Sequence, residues 1–249
     1  MLPNEKDFYV VIPARMGGRR LPGKPLIDIL GKPLIQRVVE RVLARVDSGS
    51  VYVITEDLEV EGFCNKKGYN VHNTGKAETA IDRVALFAEK YLAKRYINVQ
   101  GDEPAFNLTD LDKLLTLEGE WLNRVVFGKT KVKNEKEFFD WSKAKVVCDV
   151  NGRLIYSSRA GIPLTNSGRF RTAERAIWLY SFPRIPLNRY HKAGMGKIEA
   201  IEDNEIIRFL EIGEQVFCID MKGDSWAVDH SDDIAQVEEI LIQQGVSYG

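Results

Sequence analysis

The fold class is indicated first by the segment FYVVIPARMGGRRLPGKPL, residues 8–26. Its first six residues, 8–13, are apolar and partly β-branched, a composition typical of a buried strand. The next residues, 14–25, are rich in Gly, Pro and Arg and therefore predict a loop. Apolar residues then recur at helical spacing after Pro33, which suits a first helical turn: Leu34, Ile35, Val38, Val39, Val42, Leu43 and Val46. We therefore expect a strand, a glycine-rich loop and a helix in succession.

The alternation of strand and helix continues through the first part of the chain. The further predicted elements are strands at 51–55 and 95–100 and helices at about 57–67 and 78–93. Such alternation implies parallel strands joined by right-handed crossovers. Residues 8–110 therefore predict the doubly wound half of an α/β domain, in which nucleotides bind at the carboxyl ends of the strands.

The middle and the end of the chain contain more strands than helices. The predicted strands lie at 124–132, 144–150, 153–158, 177–182 and 216–221, and the predicted helices at 197–211 and 231–243. The pair Asn151-Gly152, between two of these strands, is a strong signal for a β-hairpin. We expect one domain over 1–249, with a smaller β-rich lobe at about 150–200 as a sub-domain.

Composition and charge exclude several classes of protein. The chain is 44% hydrophobic and 29% charged, which is ordinary for a globular domain. Its 35 basic and 36 acidic residues leave a net charge of −1, which argues against nucleic-acid binding through bulk charge. No apolar run is long enough for a membrane span, and no secretory signal is predicted. Cys64, Cys148 and Cys218 lack metal-ligand spacing and indicate reduced thiols in a cytoplasmic protein.

The glycine-rich loop carries the groups that a polyphosphate needs. Three glycines let backbone amides approach phosphate oxygens closely: Gly17, Gly18 and Gly23. Four side chains add positive charge: Arg15, Arg19, Arg20 and Lys24. A solvated basic turn is the alternative interpretation. The loop matches neither the P-loop pattern nor the dinucleotide-binding pattern G-x-G-x-x-G, so neither class of nucleotide site is expected.

Two later segments carry carboxylates suited to a metal. In NVQGDEP, 98–104, Asp102 follows a predicted buried strand, and Gln100 lies close to it. In WAVDHSDDIAQV, 226–237, Asp229 is a candidate second carboxylate before a helix that Ser231 or Asp232 would cap. Mg²⁺ takes one or two carboxylates and completes its shell with phosphate oxygens and water. The alternative for Asp102 is a turn residue that caps a helix.

The order of these motifs is more specific than any one of them. The chain contains R-x-x-x-R-R-L-P-G-K-P-L, then L-G-K-P-L-I, then V-Q-G-D-E-P, and later V-D before an acidic helix. Over residues 8–243 it resembles the sugar-nucleotide cytidylyltransferases, most closely the CMP-KDO synthetases, or 3-deoxy-manno-octulosonate cytidylyltransferases. The resemblance implies a Rossmann-like nucleotidyltransferase fold with a mixed central sheet. It also implies a homodimer that uses CTP, a sugar-acid substrate and Mg²⁺ in the assembly of surface glycans or lipopolysaccharide.

The resemblance assigns roles to residues of the nucleotide end. Those expected to bind CTP are Arg15, Gly17, Gly18, Arg20, Lys24, Asp82, Arg83 and Gln100. The metal ligands would be Asp102 and Asp229. With Arg15 and Lys24, these two carboxylates form the expected catalytic set, in which the metal activates the sugar hydroxyl and no protein nucleophile is needed.

The resemblance also assigns an acceptor end. The segment YSSRAGIP, 156–163, matches a family pattern whose arginine serves the sugar acid. The expected sugar-binding residues are Arg159, Tyr180, Glu202 and Glu205. In the predicted helix 197–211 a spacing of three places Glu199, Glu202 and Glu205 on one face. A solvated face with an ion pair to Arg208 is the alternative.

The chain departs from the family pattern at three places. Thr79-Ala80-Ile81 stands for S-G-T near the nucleotide, Ala176 stands for a sugar-binding His, and Ile206 stands for a Gln. Sites built around a given hydroxyl discriminate strongly for it, so we expect an altered sugar specificity. Two other functions stay open: a nucleotidyltransferase for another sugar or sugar phosphate, and a non-catalytic nucleotide-binding homologue.

Overall fold

The computed structural model describes residues 5–18, 20–223 and 226–248. The strands are β1 Lys6–Pro13, β2 Asp28–Ile29, β3 Lys32–Pro33, β4 Val51–Thr55, β5 Val71–Asn73, β6 Ala93–Val99, β7 Val125–Lys131, β8 Lys145–Cys148, β9 Leu154–Ser158, β10 Glu174–Pro183 and β11 Val216–Asp220. The helices are α1 Leu34–Leu43, α2 Leu58–Lys67, α3 Ala80–Lys90, α4 Leu108–Leu115, α5 Glu135–Phe139, α6 Arg184–Ala193, α7 Lys197–Glu202, α8 Ile207–Glu211 and α9 Asp232–Gln243.

A mixed sheet forms the centre of the molecule. Its main strand order is β11-β7-β10-β6-β1-β4-β5, with the β8–β9 hairpin attached to β10. Strands β1, β4, β5 and β6 are parallel, whereas β10 runs antiparallel to both β6 and β7. The predicted α/β fold with a mixed sheet is therefore confirmed. The carboxyl ends of β1 and β6 meet at one edge, where the glycine-rich loop and the segment 100–104 begin.

Both faces of the sheet are covered, which explains the continuous apolar run in β1. Val10 and Ile12 point into one core cluster, together with Val38 of α1 and Leu111 of α4. Val11 points to the opposite face, into a cluster that includes residues of α3, α6 and α8. Successive side chains of a strand point to opposite faces, so a strand covered on both sides is apolar throughout.

The helices contain the main differences from the predictions. The predicted helix 197–211 is wrong, because the chain forms α7 and α8 with a break at Asp203, whose φ of 47° is left-handed. Asn204 follows the break and donates a side-chain hydrogen bond to Ser157 Oγ at 2.9 Å. Helices α4 and α6 were not predicted. In α4 a start signal was available, since the Asn107 side chain accepts from the amide of Thr109.

The predicted hairpin at Asn151-Gly152 is confirmed. Strands β8 and β9 pair antiparallel, and the Asp149 carboxylate accepts from the amides of Asn151 and Arg153 in the turn. Residues 150–200 also contain β10 and α6, and β10 lies inside the central sheet. The division into a nucleotide-binding half and a lobe stays a prediction.

Two composition-based expectations have structural counterparts. Cys64, Cys148 and Cys218 are free thiols, and two of them are buried. Within the residues described, no helix is long and apolar enough to cross a membrane.

Candidate active site

The glycine-rich loop after β1 is closed by its own backbone. Met16 O accepts from the amides of Gly18 and Gly23 at 3.0 and 2.9 Å, and the Met16 amide donates to Asp57 Oδ2 at 2.7 Å. A Cβ on Gly18 would lie only 2.8 Å from Leu21 O, so a side chain there would force the turn to shift. Gly23 has a φ of 74°, which favours glycine. The loop therefore needs glycine at both positions, and Asp57 is an anchor that the sequence analysis missed.

The outer part of this loop is open to solvent. Arg15, Gly17 and Arg20 are exposed, and nothing lies within 4 Å of a Cβ placed on Gly17. Arg19 falls outside the described residues. The loop thus offers exposed backbone and cations to an incoming anion.

The two predicted metal ligands share one ammonium group. Lys24 Nζ lies 2.7 Å from Asp102 Oδ2 and 3.3 Å from Asp229 Oδ1. Arg20 Nη2 lies 2.9 Å from the same oxygen of Asp229. Burial opposes the charge on Lys24, but the two carboxylates outweigh it and raise the pKa of the ammonium. Four residues predicted from three distant segments therefore meet in one charge cluster.

Backbone contacts bring the two carboxylates together. The amide of Val228 donates to Asp102 O at 2.9 Å, which joins the segment before Asp229 to the turn after β6. That turn packs so closely on β1 that a Cβ on Gly101 would collide with Pro13 O. The position of Asp102 is thus set by main-chain packing.

Asp233 fixes the position of Asp229 at the start of α9. Its Oδ2 accepts from the amides of Asp229 and His230 at 2.9 and 2.7 Å, and its Oδ1 accepts from Trp226 Nε1 at 3.0 Å. Ser231 occupies the N-cap position of α9, as predicted, but its side chain makes no cap bond; Asp233 instead accepts from two amides that precede the helix.

The carboxylate pair fits a magnesium ion by its chemistry. Asp102 and Asp229 offer hard oxygen ligands, and their side chains are 28% and 32% exposed. Within the described ranges no cluster of three or more His, Cys, Asp and Glu residues is suited to a metal. Mg²⁺ commonly binds through one or two carboxylates plus phosphate oxygens and water, so this pair suits a metal that arrives with a nucleotide.

Asp82 and Arg83, predicted to bind the nucleotide, are engaged within the protein. The Asp82 carboxylate accepts from Arg208 at 2.9 and 3.1 Å, from Thr79 Oγ1 at 2.7 Å, and lies 3.0 Å from His191 Nδ1. Arg83 donates to Thr74 Oγ1 at 2.8 Å and to the carbonyl of the following glycine at 3.0 Å. Their contact with a nucleotide stays a prediction.

Arg208 is the centre of a buried ion network. Its side chain is 0% exposed, its Nε and Nη2 lie 2.6 and 2.8 Å from the Glu199 carboxylate, and its guanidinium stacks over the Tyr190 ring at 3.9 Å. The network joins Asp82 of α3 to residues of α6, α7 and α8. The predicted single face of Glu199, Glu202 and Glu205 is wrong because α7 ends at Glu202.

Glu202 and Arg159 hold the end of β9. The Glu202 carboxylate accepts from Ser158 Oγ at 2.7 Å, from Tyr156 Oη at 3.1 Å and from the Arg159 amide at 3.0 Å. Burial alone would raise the pKa of the Glu202 carboxyl. These hydrogen bonds stabilise its charged form more strongly, so its pKa lies below the ordinary value for Glu. The Arg159 guanidinium donates to the carbonyls of Glu202 and Asp203 at 2.9 and 2.7 Å. Both residues thus stabilise the local backbone, and their contact with a sugar stays a prediction.

Glu205 and Tyr180 are predicted sugar-binding residues whose pKa values are raised by burial. Glu205 accepts from the amides of Ala80 and Ile81 at 3.3 and 2.9 Å, at the start of α3. Burial raises the pKa of Glu205, and the like charge of Asp82 adds to this. Tyr180 is buried beside Gln100, and burial with the nearby carboxylates of Glu205 and Asp102 raises the pKa of its phenol. Tyr180 therefore stays a neutral phenol, with a side-chain hydrogen bond to Gln100.

Comparison with known proteins now identifies the family. A family model described as "Cytidylyltransferase" matches residues 9–216. The chain belongs to the cytidylyltransferase family. It is 34% identical over 244 residues to "3-deoxy-manno-octulosonate cytidylyltransferase 2" of Hydrogenovibrio crunogenus, covering 94% of this chain and 97% of that protein. It is 36% identical over 227 residues to 3-deoxy-manno-octulosonate cytidylyltransferase of Saccharophagus degradans, covering 84% and 88%.

A solved structure supports the same resemblance. CMP:2-keto-3-deoxy-manno-octonic acid synthetase complexed with CTP matches this cytidylyltransferase with a TM-score of 0.86 and 30% identity, covering 96% of this chain and all 100% of that one. A cytidylyltransferase from Leptospira borgpetersenii shares the fold, with a TM-score of 0.61 at 16% identity. The resemblance inferred from the sequence is therefore confirmed.

The departures from the family pattern occupy apolar surroundings. Ala176 and Ile206 are buried, at 6% and 0% exposure, within one core cluster. Trp178 is half-buried and stacks on Phe127 and Tyr180, with ring centroids 6.2 and 6.0 Å apart. In this cytidylyltransferase β10 therefore contributes to an aromatic stack, and Ala176 and Ile206 contribute no side-chain polar group.

Proposed function

We propose that this cytidylyltransferase activates a 2-keto-3-deoxy sugar acid, 3-deoxy-manno-octulosonate (KDO) or a related ulosonic acid, with CTP. The products are the CMP-sugar and pyrophosphate. The observation that carries the proposal is the cluster of Lys24, Asp102 and Asp229 beside an open glycine-rich loop. The names of the relatives and the CTP in the matched structure support the choice of substrates.

The glycine-rich loop would hold the triphosphate of CTP. The exposed backbone around Gly17 and the side chains of Arg15, Arg20 and Lys24 supply donors and positive charge on one side of the site. These groups would stabilise the charge that develops on the leaving pyrophosphate, the main requirement of phosphoryl-type transfer.

Asp102 and Asp229 would hold Mg²⁺. When bound, the ion neutralises phosphate charge and lowers the pKa of the attacking hydroxyl. Asp233 keeps Asp229 in place through its backbone bonds, and the Val228 amide ties the two carboxylate segments together. A shift in either contact would separate the carboxylates.

The transfer needs no covalent enzyme intermediate. The anomeric oxygen of the sugar acid forms a bond to the α-phosphorus, and the bond from that phosphorus to the bridging oxygen of pyrophosphate breaks. The hydroxyl proton passes to solvent. Tyr180 forms a side-chain hydrogen bond with Gln100 and feels the charges of Asp102 and Glu205, and it would orient the sugar toward the α-phosphate.

The altered acceptor end supports a changed sugar specificity. Where the family pattern has a His and a Gln, Ala176 and Ile206 offer no side-chain hydrogen bond, and Trp178 adds an aromatic surface. A sugar that depends on those hydrogen bonds would lose affinity, because hydroxyl recognition by polar groups discriminates strongly. An acceptor with a less polar group at that position suits the site better.

The proposal extends to a homodimer working in the cytoplasm in lipopolysaccharide assembly. Exposed apolar side chains in and beside the β8–β9 region support a subunit contact: Trp141 at 72% exposure, Ile155 at 57% and Leu164 at 51%. The three free thiols support a reducing compartment. Light scattering of the purified protein at several concentrations tests the dimer, and a monomer throughout would contradict it.

The experiment is pyrophosphate release with CTP and Mg²⁺ against a panel of 2-keto-3-deoxy sugar acids. The panel includes KDO, its amino relatives and nine-carbon ulosonic acids. Release with one acceptor identifies the reaction and the sugar. Parallel runs with UTP and GTP test another nucleotidyltransferase, and CTP binding without release across the panel would favour a non-catalytic homologue.

Asp102→Asn tests the catalytic assignment. Turnover should fall at least about a hundredfold, since charge stabilisation worth several kcal/mol is lost. The matched control is Asp112→Asn, on an exposed acid of α4 that pairs with Arg45 at 3.2 Å, and it should keep full turnover. Full activity of Asp102→Asn would refute the metal assignment.

A further inference from the structure

The Lys24 ammonium stands where a divalent cation would bridge the two carboxylates. It touches Asp102 and Asp229 at once, at 2.7 and 3.3 Å, and its side chain is only 18% exposed. Among the described residues, these two carboxylates form ion pairs with Lys24 and Arg20. The pair is therefore charge-balanced by the protein's own cations.

An ammonium and a divalent cation cannot both occupy this position. They would compete for the same carboxylate oxygens, and like charges a few ångströms apart repel by about 1 kcal/mol or more even at high dielectric. Lys24 has to move for a metal to bind.

The triphosphate offers Lys24 a new partner. Lys24 directly follows Gly23, the last glycine of the phosphate loop, and begins the short 3-10 turn Lys24–Leu26. A lysine has a flexible four-carbon stem and a compact charge, so a small movement of its head group can exchange a carboxylate for a phosphate oxygen. The phosphates would also attract Arg20 away from Asp229.

We propose that Lys24 is an internal counter-ion that holds the metal site in the nucleotide-free protein and moves to the phosphates when CTP enters. The inference rests on the proposed function. Metal and nucleotide then bind cooperatively, because each favours the Lys24 position that the other needs. Such coupling is reciprocal, with the same factor in both directions.

Lys24→Met tests this proposal through metal binding without nucleotide. The variant removes the competing charge, so Mn²⁺ titrated by electron paramagnetic resonance should bind about tenfold more tightly than to the wild type. Lys32→Met is the matched control, because Lys32 pairs with Glu40 at 2.9 Å and not with the carboxylate pair. Its Mn²⁺ affinity should equal that of the wild type.

A second measurement tests the coupling. The affinity for CTP is measured by calorimetry without metal and with saturating Mn²⁺, in the wild type and in Lys24→Met. The factor by which Mn²⁺ tightens CTP binding should be about tenfold larger in the wild type. CTP also chelates Mn²⁺ in solution. This effect is equal for the wild type and for Lys24→Met, so it cancels when their two factors are compared. Lys24→Gln serves as a second neutral variant if Lys24→Met does not fold.

The outcomes separate the counter-ion from the metal site itself. Adding Asp102→Asn to Lys24→Met should abolish the gain in Mn²⁺ affinity, which assigns the ion to the carboxylate pair. Equal Mn²⁺ affinities of wild type and Lys24→Met would overturn the counter-ion role while leaving the metal site standing. Absence of Mn²⁺ binding in every variant, with CTP present or absent, would overturn the metal site and with it this inference.

Discussion

The two ends of the site contain the same kinds of charged group in opposite situations. At the phosphate end Lys24, Asp102 and Asp229 are partly exposed and pair across loops. In the helical network at the other end Arg208 is 0% exposed, Asp82 is 4% exposed, and Glu199 completes a set of ion pairs among packed helices. Partly exposed pairs exchange easily with ligand charges, whereas a buried pair is costly to break. Burial, and not residue type, therefore distinguishes the charges that are proposed to bind ligands from the charges that hold the fold.

The largest expected effect comes from breaking the buried network. Arg208→Met leaves the carboxylates of Asp82 and Glu199 without their main partner, so the free energy of unfolding should fall by about 3–5 kcal/mol. Urea unfolding measures it. CTP affinity, measured where the variant remains folded, should change far less if Asp82 serves the fold and not the nucleotide.

The matched control for that variant is Arg45→Met. Arg45 pairs with Asp112 on the surface, where the two side chains are 40% and 41% exposed. Its loss should change the free energy of unfolding by no more than about 1 kcal/mol. Similar losses for the two variants would contradict the distinction between the two kinds of ion pair.

A smaller effect should appear as acid lability. Burial alone would raise the pKa of Asp82. Hydrogen bonds from Arg208, His191 and Thr79 stabilise its charged form more strongly, so its pKa lies below the ordinary value for Asp. A group whose pKa is lower in the folded state adds stability above its unfolded pKa, about 3.9 for Asp, and loses it as the pH falls through its folded value. The free energy of unfolding should therefore decrease below about pH 4.

Arg208→Met sharpens the acid test, because Asp82 loses the partner that lowers its pKa. Its stability should fall less steeply with acid than that of the wild type, as seen in urea unfolding at stepped pH. Parallel slopes in the two proteins would show that other carboxylates, such as Glu202 with its lowered pKa, dominate acid lability.

The smallest effect concerns the start of α3, where the family's S-G-T pattern is altered. The Thr79 hydroxyl accepts from the Asp82 amide at 3.1 Å and donates to the Asp82 carboxylate at 2.7 Å. Thr79→Ala removes this cap and should cost about 1 kcal/mol by thermal or urea unfolding. Thr79→Ser keeps the hydroxyl and should recover most of the loss; equal costs for both would contradict the capping role.

Much of the phosphate end was predictable because its signals are local. The need for glycine is set by turns and close approaches within a few residues. Asp102 comes shortly after a buried strand in the chain. The apolar run of β1 and the Asn151-Gly152 turn are also local features, and both were predicted correctly.

The buried helical network was less predictable because its burial depends on distant contacts. Arg208 and Asp82 are 126 residues apart, and nothing in the sequence near either shows that they meet in the core. The break at Asp203 likewise interrupts a segment whose spacing alone predicts one continuous helix. Asp233 was missed for another reason, since several acidic residues at a helix start compete for the same capping role.

The hydrogen bond from Val228 to Asp102 has a consequence for the synthesis of the protein. Domains form from the N-terminus as the chain emerges, so the glycine-rich loop and the turn after β6 exist long before α9. Lys24 and Asp229 are separated by 205 residues, so the second carboxylate is synthesised long after the loop. A nascent chain therefore carries the cations and one carboxylate but cannot complete the pair. If the carboxylate pair acts as proposed, turnover of nucleotide requires that the segment around Asp229 has been synthesised and has packed against the turn after β6.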